Sequence, residues 1–463
     1  MAKEDRITSI TSMRLLMTAT LVLVAVAFGL GTYFGLRNSE RSFASSQFDS
    51  VADNALTGLE DSFNRMEKAM YALSSLYSNQ FPDETKWPFV TLPVFYETVP
   101  YLTEISNVNT FGFLPRVAPE LLANTSEQTT FEKYLFDYFE SDPAIPNDNP
   151  PGLNLPGFGY GGIWGNANRS FTNNAFGNAY RDLTGVAPWT GPDHSLYPAA
   201  QLVFGAGAVP PMLARNFHSD PFIGPVLSEI TRCADNFNGT YLEAMASCPG
   251  VRPSSADYDG RGFLDVSGNM AVPIFLRNAS TSTSLKLVGL IAGSFSWTDI
   301  LTLLVPAYEG DVDVVVTGAG YYEASEISDD YTFTYTIIDG AGSFSGVGDL
   351  HDKEYNDFGR VVEDMQFMNT FTYKVTMYPR KSFVEKYETQ NPLYVPIGSV
   401  LLICLCSLVF IGYDYAVSRH SVYQQVELDT KRKFVRYISH EVRTPLNTVK
   451  LGLKLFLNRS WQR

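Results

Sequence analysis

The sequence predicts an α+β domain between two transmembrane helices, followed by a helical segment on the opposite side of the membrane. Two long uncharged stretches predict the membrane helices. Short apolar runs separated by amphipathic segments predict the α+β domain, and one apolar stripe near the C-terminus predicts the last helix. The chain has 463 residues, of which 45% are hydrophobic and 18% charged. This composition excludes a disordered protein and allows two or three domains.

The charge of the chain is distributed unevenly. Of the net charge of −15, residues 1–14 contribute +1 and residues 414–463 contribute +6, while stretches 15–36 and 394–413 contain no charge, so residues 37–393 carry −22. An acidic centre between two basic ends is typical of a chain whose parts lie on different sides of a membrane. We expect no nucleic-acid partner for such an acidic chain.

The two uncharged stretches are long enough to cross a bilayer. Leu15 to Leu36 comprises 22 residues and Tyr394 to Tyr413 comprises 20, and a helix of about 20 residues spans the roughly 30 Å hydrocarbon core. Tyr394 and Tyr413 stand where interfacial aromatic residues are favoured. A signal peptide is the alternative for the first stretch, but its apolar region is usually about 7–15 residues and no clear cleavage site follows here.

Basic residues beside the second stretch predict the orientation. The sequence that follows it is rich in them: Arg419, Lys431, Arg432, Lys433 and Arg436. The positive-inside rule then places the C-terminus in the cytoplasm, and two spans place the N-terminus (residues 1–14) there as well. We therefore expect an integral protein of the plasma membrane, with residues 37–393 outside the cytoplasm.

Two cysteines and four sequons agree with an outer location. Cys233 and Cys248 are the only cysteines of residues 37–393, and in an oxidising compartment we expect a disulfide worth about 3 kcal/mol, with two free thiols as the alternative. Cys404 and Cys406 lie within the second stretch and are interpreted as small apolar residues of a membrane helix. Four Asn-x-Ser/Thr sequons are candidates for N-glycosylation: Asn124, Asn168, Asn238 and Asn278.

Residues 42–79 predict a long amphipathic helix. Their apolar residues recur at steps of three and four: Ala52, Ala55, Leu59, Phe63, Met66, Met70, Leu73 and Tyr77. A helix of about 38 residues reaches roughly 57 Å and would continue directly from the first membrane helix. We interpret it as a stalk that covers a core, that pairs with a second copy in a dimer, or that does both.

The sequence beyond Pro82 mixes strand and helix patterns. Seven apolar runs predict strands: Ile105–Phe113, Ala200–Phe204, Met270–Phe275, Leu285–Phe295, Val312–Thr317, Tyr331–Ile338 and Thr370–Tyr378. Three segments predict helices: Thr129–Phe139, Phe222–Cys233 and Trp297–Leu304. Residues 143–178 are rich in Gly, Pro and Asn and predict a long irregular insertion.

Residues 37–393 show no catalytic or metal-binding pattern. His194, His218 and His351 are scattered without the spacing of metal ligands, so we predict structural or surface roles for them. The segment Asp339–Gly342 superficially resembles a nucleotide-binding glycine loop, but it predicts a turn after the preceding strand.

Several short segments of this region share a family pattern: Ile105–Val117 with Pro115-Arg116-Val117, Phe131-Glu132, Tyr197-Pro198, Val272–Phe275 and Leu287–Phe295. On these segments residues 80–305 resemble the CHASE domain, the extracellular sensor module of plant cytokinin receptors and many microbial receptor kinases. The chain departs from the family at Gln128, where an Arg is expected. The resemblance implies a stalk helix followed by two PAS-like α/β lobes, with a pocket for an extracellular small molecule in one lobe. Residues 306–390 would form a membrane-proximal α/β region.

The C-terminal segment predicts one amphipathic helix. Its apolar residues fall on one stripe: Phe434, Val435, Ile438, Val442, Leu446, Val449, Leu453 and Phe456. At about 100° per residue, His440 lies about 160° from Ile438 and Val442, on the opposite face. The stripe would pack in a dimeric helical bundle and leave His440 in water, where a separate ATP-bearing domain can reach it.

The neighbours of His440 suit phosphoryl transfer. Glu441 can orient or deprotonate the imidazole, Arg443 supplies positive charge, and Thr444 lies on the same face, where it can position a water for the reverse reaction. Pro445 removes a backbone donor and predicts a bend just past the histidine.

The segment Ser439-His-Glu-Val-Arg-Thr-Pro-Leu446 resembles the H box of sensor histidine kinases, with Val442 where Leu or Phe is common. The resemblance implies that His440 accepts phosphate, assisted by Glu441, Arg443 and Thr444. It also implies ATP and Mg²⁺, which bind in a domain that follows the H box in this family; the chain itself would bind no cofactor. That domain is not within the 463 residues. We therefore expect a truncated sequence of a full-length kinase, with a fragment or a receptor phosphorylated in trans as the alternatives.

These patterns together predict a transmembrane sensor histidine kinase of a two-component phosphorelay. Residues 414–433 would be its signalling helix, and residues 434–463 part of its dimerisation and phosphoacceptor domain. Its partners would be a second copy of the chain, an extracellular small-molecule ligand, and a response regulator or phosphotransfer protein. The alternative is a non-catalytic receptor or decoy that dimerises with complete kinases and damps them.

Overall fold

The computed structural model describes the chain over residues 2–118, 121, 129–145, 163, 195–205, 212–219, 223–248, 250–253, 267–277, 285–305, 310–320, 331–368 and 371–460. The fold is mixed α+β, with two antiparallel sheets and two long helices. Both long helices contain a stretch long and apolar enough to cross a membrane. The predicted fold class is confirmed to this extent.

The described helices and strands are interspersed along the chain. The helices are α1 Ala2–Gln80, α2 Phe95–Ser106, α3 Thr130–Ser141, α4 Ile223–Asn236, α5 Tyr241–Ser247, α6 Trp297–Leu304, α7 Lys381–Tyr387 and α8 Asn391–Ser460. The strands are β1 Thr110–Pro115, β2 Gln201–Phe204, β3 Gly250–Pro253, β4 Ser267–Arg277, β5 Leu285–Ser296, β6 Val312–Gly320, β7 Tyr331–Ile338, β8 Ala341–Val347, β9 Arg360–Phe367 and β10 Phe371–Pro379.

The ten strands form two sheets of five. The first sheet has the order β2-β1-β5-β4-β3 and the second has the order β8-β7-β6-β10-β9. Each sheet pairs its first strand in the chain with its last, through the antiparallel ladders β1–β5 and β6–β10. The strand order second-first-fifth-fourth is therefore common to both, and only the third strand changes edge. Sheet one ends at Ser296 and sheet two begins at Val312, on either side of the predicted boundary near residue 306.

The chain divides into two compact units. One comprises residues 43–387, with both sheets, and the other comprises residues 1–42 and 388–463, with the two uncharged apolar stretches. Within the second unit, a Cβ atom on Gly29 would lie 2.9 Å from Val400 Cγ2, so α1 and α8 approach each other closely there. The predicted spans 15–36 and 394–413 lie wholly inside α1 and α8.

The predicted stripe of residues 42–79 is the face of α1 that packs on the sheets. All eight predicted apolar residues, from Ala52 to Tyr77, are no more than 3% exposed. Two serines of the same helix donate to carbonyls of β4, Ser74 Oγ to Pro273 O at 2.6 Å and Ser78 Oγ to Phe275 O at 3.0 Å. The interpretation that this segment covers a core is confirmed, while its pairing with a second copy stays a prediction.

One predicted strand begins too early. Ile105 and Ser106 belong to α2, and the helix ends at Asn107, whose φ of 58° is the left-handed conformation that commonly follows a helix. The strand begins at Thr110. The apolar run Ile105–Phe113 therefore contains a helix end, a turn and a strand.

The Asp339–Gly342 segment is a hairpin turn, as predicted. Asp339 and Gly340 have φ values of 50° and 76°, and Ile338 pairs with Ala341 across the two-residue loop. This is the conformation that an Asp-Gly pair favours between antiparallel strands. The strand that follows, β8, was missed because its sequence AGSFSGV has no apolar run.

Candidate phosphoacceptor helix and sensor region

The predicted second span, signalling segment and H box lie on one helix. α8 runs from Asn391 to Ser460 and continues through Pro445. Pro445 lacks the backbone donor that would otherwise bond to the carbonyl of Glu441. Although this hydrogen bond is missing, α8 continues past Pro445 to Ser460, so the proline does not end the helix that carries His440.

The apolar stripe of α8 is exposed in the single chain. Ile438 is 43% exposed, and the exposures of Val442, Leu446 and Val449 are 49%, 61% and 62%. Leu453 is also exposed, whereas the side chain of Phe456 lies outside the described residues. Every described side chain from Arg419 to Leu455 is exposed in the single chain, so the stripe is defined by the helical spacing of its apolar residues, a spacing found in helices that pair with another helix.

His440 is exposed, as are Glu441, Arg443 and Thr444. Among the described side chains, neither Glu441 nor Arg443 makes an ion pair, so both are free to meet an incoming group. Thr444 Oγ1 donates to the carbonyl oxygen of His440 at 2.9 Å. With its proton used, the Thr444 hydroxyl can only accept a hydrogen bond from a water molecule or a protonated group.

These four side chains carry the chemical groups that a phosphoryl acceptor would use. A neutral imidazole is a nucleophile, a carboxylate beside it can take its proton, and a guanidinium attracts the phosphate oxygens. Across the described ranges, no three His, Cys, Asp or Glu side chains are grouped so as to hold a metal ion.

The residues that carry the CHASE resemblance take structural roles in the first sheet and its helices. Arg116 follows β1 and forms a bidentate ion pair with Asp235 of α4, with both N–O distances at 2.7 Å. Arg116 Nε also donates to Ser195 Oγ at 2.9 Å. The pair thus ties the end of β1 to α4.

Glu132, the second residue of the Phe-Glu pair, is fully buried and caps its own helix. Glu132 Oε2 accepts from Thr129 N at 3.1 Å, and Glu132 N donates to Thr129 Oγ1 at 3.3 Å, a capping box at the start of α3. Its other oxygen accepts from Ile163 N at 3.0 Å. Gln128 lies outside the described residues.

Tyr197 and His218 pack together under α4. The Tyr197 hydroxyl bonds to Thr231 Oγ1 at 2.6 Å, and the ring meets the His218 ring edge to face at 5.3 Å. His218 is fully buried, with its Nδ1 2.7 Å from Ser195 O and its Nε2 2.7 Å from Ser228 Oγ. The structural role predicted for His218 is confirmed. His194 lies outside the described residues.

A buried polar network that the sequence did not reveal joins α1 to β2. Gln201 Oε1 accepts from the Tyr77 hydroxyl and from Leu92 N at 2.7 Å, while Gln201 Nε2 contacts Leu92 O at 2.9 Å and the Tyr138 hydroxyl at 2.6 Å. Burial is the largest cause that raises the pKa of Tyr77 and Tyr138. Both hydroxyls therefore keep their protons at neutral pH. Only long-range packing brings these residues together, so no local pattern marks them.

Cys233 and Cys248 are joined by a disulfide that links the last turn of α4 to the end of α5. The two cysteines are separated by 15 residues. The structure therefore places the predicted bond between the two cysteines of the sheet-bearing unit.

We expect the double substitution Cys233→Ser with Cys248→Ser to lower the free energy of unfolding by about 3 kcal/mol, because a short closed loop restricts the unfolded chain by about this amount. The measurement is a urea titration of the full chain in detergent, compared with the unsubstituted protein under oxidising conditions. Equal unfolding midpoints would contradict this expectation.

One of the four sequons lies in the described part of the chain. Asn238 is exposed in the turn between α4 and α5. Thr240 of the same sequon begins α5 with a capping box, in which Thr240 N donates to Glu243 Oε2 at 2.8 Å. Asn124, Asn168 and Asn278 lie outside the described residues.

His351 is the centre of a polar cluster in the segment between β8 and β9 of the second sheet. Its side chain is 2% exposed, its ring stacks on Tyr378 at 3.6 Å, and its Nε2 lies 2.5 Å from Asn356 Oδ1. Its Nδ1 contacts the Asp349 carboxylate, which also accepts from Lys353 Nζ at 3.0 Å. The structural role predicted for His351 is confirmed.

This cluster predicts an acid-dependent loss of stability. Burial favours a higher pKa for the Asp349 carboxyl, but the hydrogen bonds from His351 and Lys353 outweigh it and hold this pKa below its usual value. A carboxyl with a lowered pKa stabilises the fold at neutral pH and loses that contribution as the pH falls below about 4. We expect Asp349→Asn to lower the unfolding midpoint at pH 7 and to differ less from the unsubstituted protein at pH 3.

The matched control for this substitution is Asp357→Asn, an exposed acid on the same segment. The measured quantity is the thermal unfolding midpoint of the full chain between pH 3 and pH 7, compared among the unsubstituted protein, Asp349→Asn and Asp357→Asn. A gap between the unsubstituted protein and Asp349→Asn that stays constant over this range would show that the carboxyl does not contribute through its charge.

Comparison with models of protein families finds none that matches the chain, and comparison with curated proteins finds no matching relative. The assignment of His440 therefore rests on the residues of the H-box segment and on their placement along α8.

Proposed function

We propose that the chain is a transmembrane sensor of a two-component phosphorelay that carries phosphate on His440. The observation that supports this most directly is the placement of an exposed His440 on α8, opposite an exposed apolar stripe. A pairing stripe and an accessible histidine on one helix meet the two needs of a dimeric phosphoacceptor. The sequence around His440 supplies the base, the cation and the hydroxyl that this reaction uses.

The proposed reaction is in-line transfer of the γ-phosphoryl group of Mg–ATP. A ring nitrogen of neutral His440 forms a bond to phosphorus, the bond from phosphorus to the bridging oxygen breaks, and ADP leaves. The ring proton passes to Glu441, while Arg443 attracts the phosphoryl oxygens. Phosphate then moves from His440 to the carboxylate of a response regulator or to a phosphotransfer protein. In the opposing phosphatase reaction, Thr444 accepts a hydrogen bond from the water that attacks the phosphoryl group of the regulator, and inorganic phosphate leaves.

The sensor would be the sheet-bearing unit, residues 43–387. We propose that an extracellular small molecule binds within residues 80–305, the part that resembles the CHASE domain and whose described strands form the first five-stranded sheet. The pattern of basic residues places this unit outside and both termini in the cytoplasm of a plasma-membrane protein. The Cys233–Cys248 disulfide and the exposed Asn238 sequon support this orientation.

The deciding experiment supplies phosphate in trans. The full chain in vesicles is mixed with a complete receptor histidine kinase, radiolabelled ATP and Mg²⁺, and label on the chain is tested for the acid lability and base stability of phosphohistidine. Acid-labile label supports the proposal. Absence of label, combined with damped autophosphorylation of the complete kinase, would instead indicate a decoy receptor.

A further inference from the structure

A carboxylate of the first long helix reaches the start of the second. Glu40 lies four residues beyond the last residue of the uncharged stretch 15–36, and Thr389 lies two residues before α8 begins at Asn391. Glu40 Oε2 accepts from Thr389 N at 3.1 Å, and Glu40 Oε1 accepts from the Thr389 hydroxyl. Thr389 Oγ1 in turn accepts from Asn391 N at 3.1 Å. The carboxylate is therefore linked through Thr389 to the first residue of α8.

The electrostatics at the start of α8 favour this contact between Glu40 and Thr389. The first N–H groups of a helix have no partner inside it and carry partial positive charge, so a carboxylate beside them is stabilised. Hydrogen bonds to a charged acceptor are about twice as strong as neutral ones. Over the described ranges no Lys or Arg pairs with Glu40, so the charge of its carboxylate is directed at Thr389 and the helix start.

The same two helices also meet within the apolar stretches. Gly29 and Ala25 on α1 are buried, and a Cβ atom at Gly29 would lie 2.9 Å from Val400 Cγ2. Gly29 is eleven residues before Glu40, and Val400 is eleven residues after Thr389. The polar contact and the close approach are therefore separated by the same number of residues in both segments, with Thr389 two residues before the start of α8. Two such contacts prevent one helix from sliding along the other.

We propose that Glu40 is a positioning residue that holds α8 in register against α1 at the outer end of the two membrane stretches. Release of the Thr389 contact lets α8 slide or turn relative to α1. Because α8 also carries His440, such a shift would change phosphorylation, a consequence that rests on the proposed function. The register itself does not rest on it and is measured independently.

The test is disulfide cross-linking of the full chain in vesicles. Cys404 and Cys406 are replaced by Ala, and Gly29→Cys is combined with Val400→Cys, because a Cβ atom on Gly29 would lie 2.9 Å from Val400 Cγ2 and the two positions are therefore close enough for a disulfide. After mild oxidation, thiols that remain are counted by maleimide mass tagging. We expect efficient cross-linking in the parent. In Glu40→Ala and Thr389→Val we expect a several-fold slower reaction, or preferred cross-linking when Ser399→Cys or Leu401→Cys replaces Val400→Cys.

Two matched variants separate the contact from general damage. Thr389→Ser keeps the hydroxyl and Glu388→Ala removes an exposed neighbouring acid, so both are expected to cross-link like the parent. Equal cross-linking in all variants would overturn the proposal. If cross-linking shifts as expected but no variant accepts label on His440, the positioning role stands and the phosphorelay proposal fails. If His440 is labelled while cross-linking is unchanged, only the positioning role fails.

Discussion

Replacing His440 with Gln is expected to abolish acid-labile labelling of the chain in the trans-phosphorylation experiment. Gln has no ring nitrogen that can form a bond to phosphorus, and the change leaves an exposed helical position polar. Because the side chain is exposed, the free energy of unfolding should stay within about 0.5 kcal/mol of that of the unsubstituted protein, with unchanged helix content. The measured quantity is label per chain after brief acid treatment.

The matched control is His420→Gln, which removes the other histidine of α8, also exposed. Labelling of His420→Gln should equal that of the unsubstituted chain. Glu441→Gln keeps the side chain's size but loses the base, and we expect the labelling rate to fall by about 10²–10⁴-fold. Label that persists in His440→Gln would place the phosphate elsewhere and remove the basis of the proposed function.

The sequence predicted best the elements whose pattern is local and complete. The predicted ranges Tyr331–Ile338 and Trp297–Leu304 are exact, and every predicted apolar residue of the stalk is buried. In these elements the periodicity of apolar residues reports directly which face meets the core. The cluster around His440 was also predictable, because its four residues lie within one turn and a half of a single helix.

The sequence could not predict features that depend on contacts between distant segments. Strands β3 and β9 and helix α2 were missed because Gly, Pro and charged residues interrupt their apolar patterns, and pairing with neighbours decides their conformation. Gln201 is an ordinary polar residue in the sequence, yet its amide joins segments 109 and 124 residues away. The Glu40–Thr389 contact spans 349 residues and has no local signal.

Phe63 is an aromatic residue of α1 that contacts both sheets. We expect its replacement to have the second large effect. Phe63 is 3% exposed and stacks on Phe367 of β9 at 4.5 Å. Its ring also meets Phe295 of β5 at 5.8 Å, Trp297 of α6 at 5.6 Å and Tyr373 of β10 at 5.5 Å. One side chain of α1 thus packs against both five-stranded sheets.

Phe63→Ala is expected to lower the free energy of unfolding by about 3–5 kcal/mol, because it removes a buried ring and leaves a cavity that four rigid aromatic neighbours cannot collapse to fill. Urea unfolding of the full chain in detergent, followed by tryptophan fluorescence, to which the adjacent Trp297 contributes, measures the change. The control is Phe204→Ala, the same substitution at a position that is 37% exposed, which should cost much less. If Phe63→Ala and Phe204→Ala cost the same, Phe63 does not join the sheets. If Phe63→Ala unfolds both sheets in one transition at a lower urea concentration, the stalk and the two sheets form one cooperative unit.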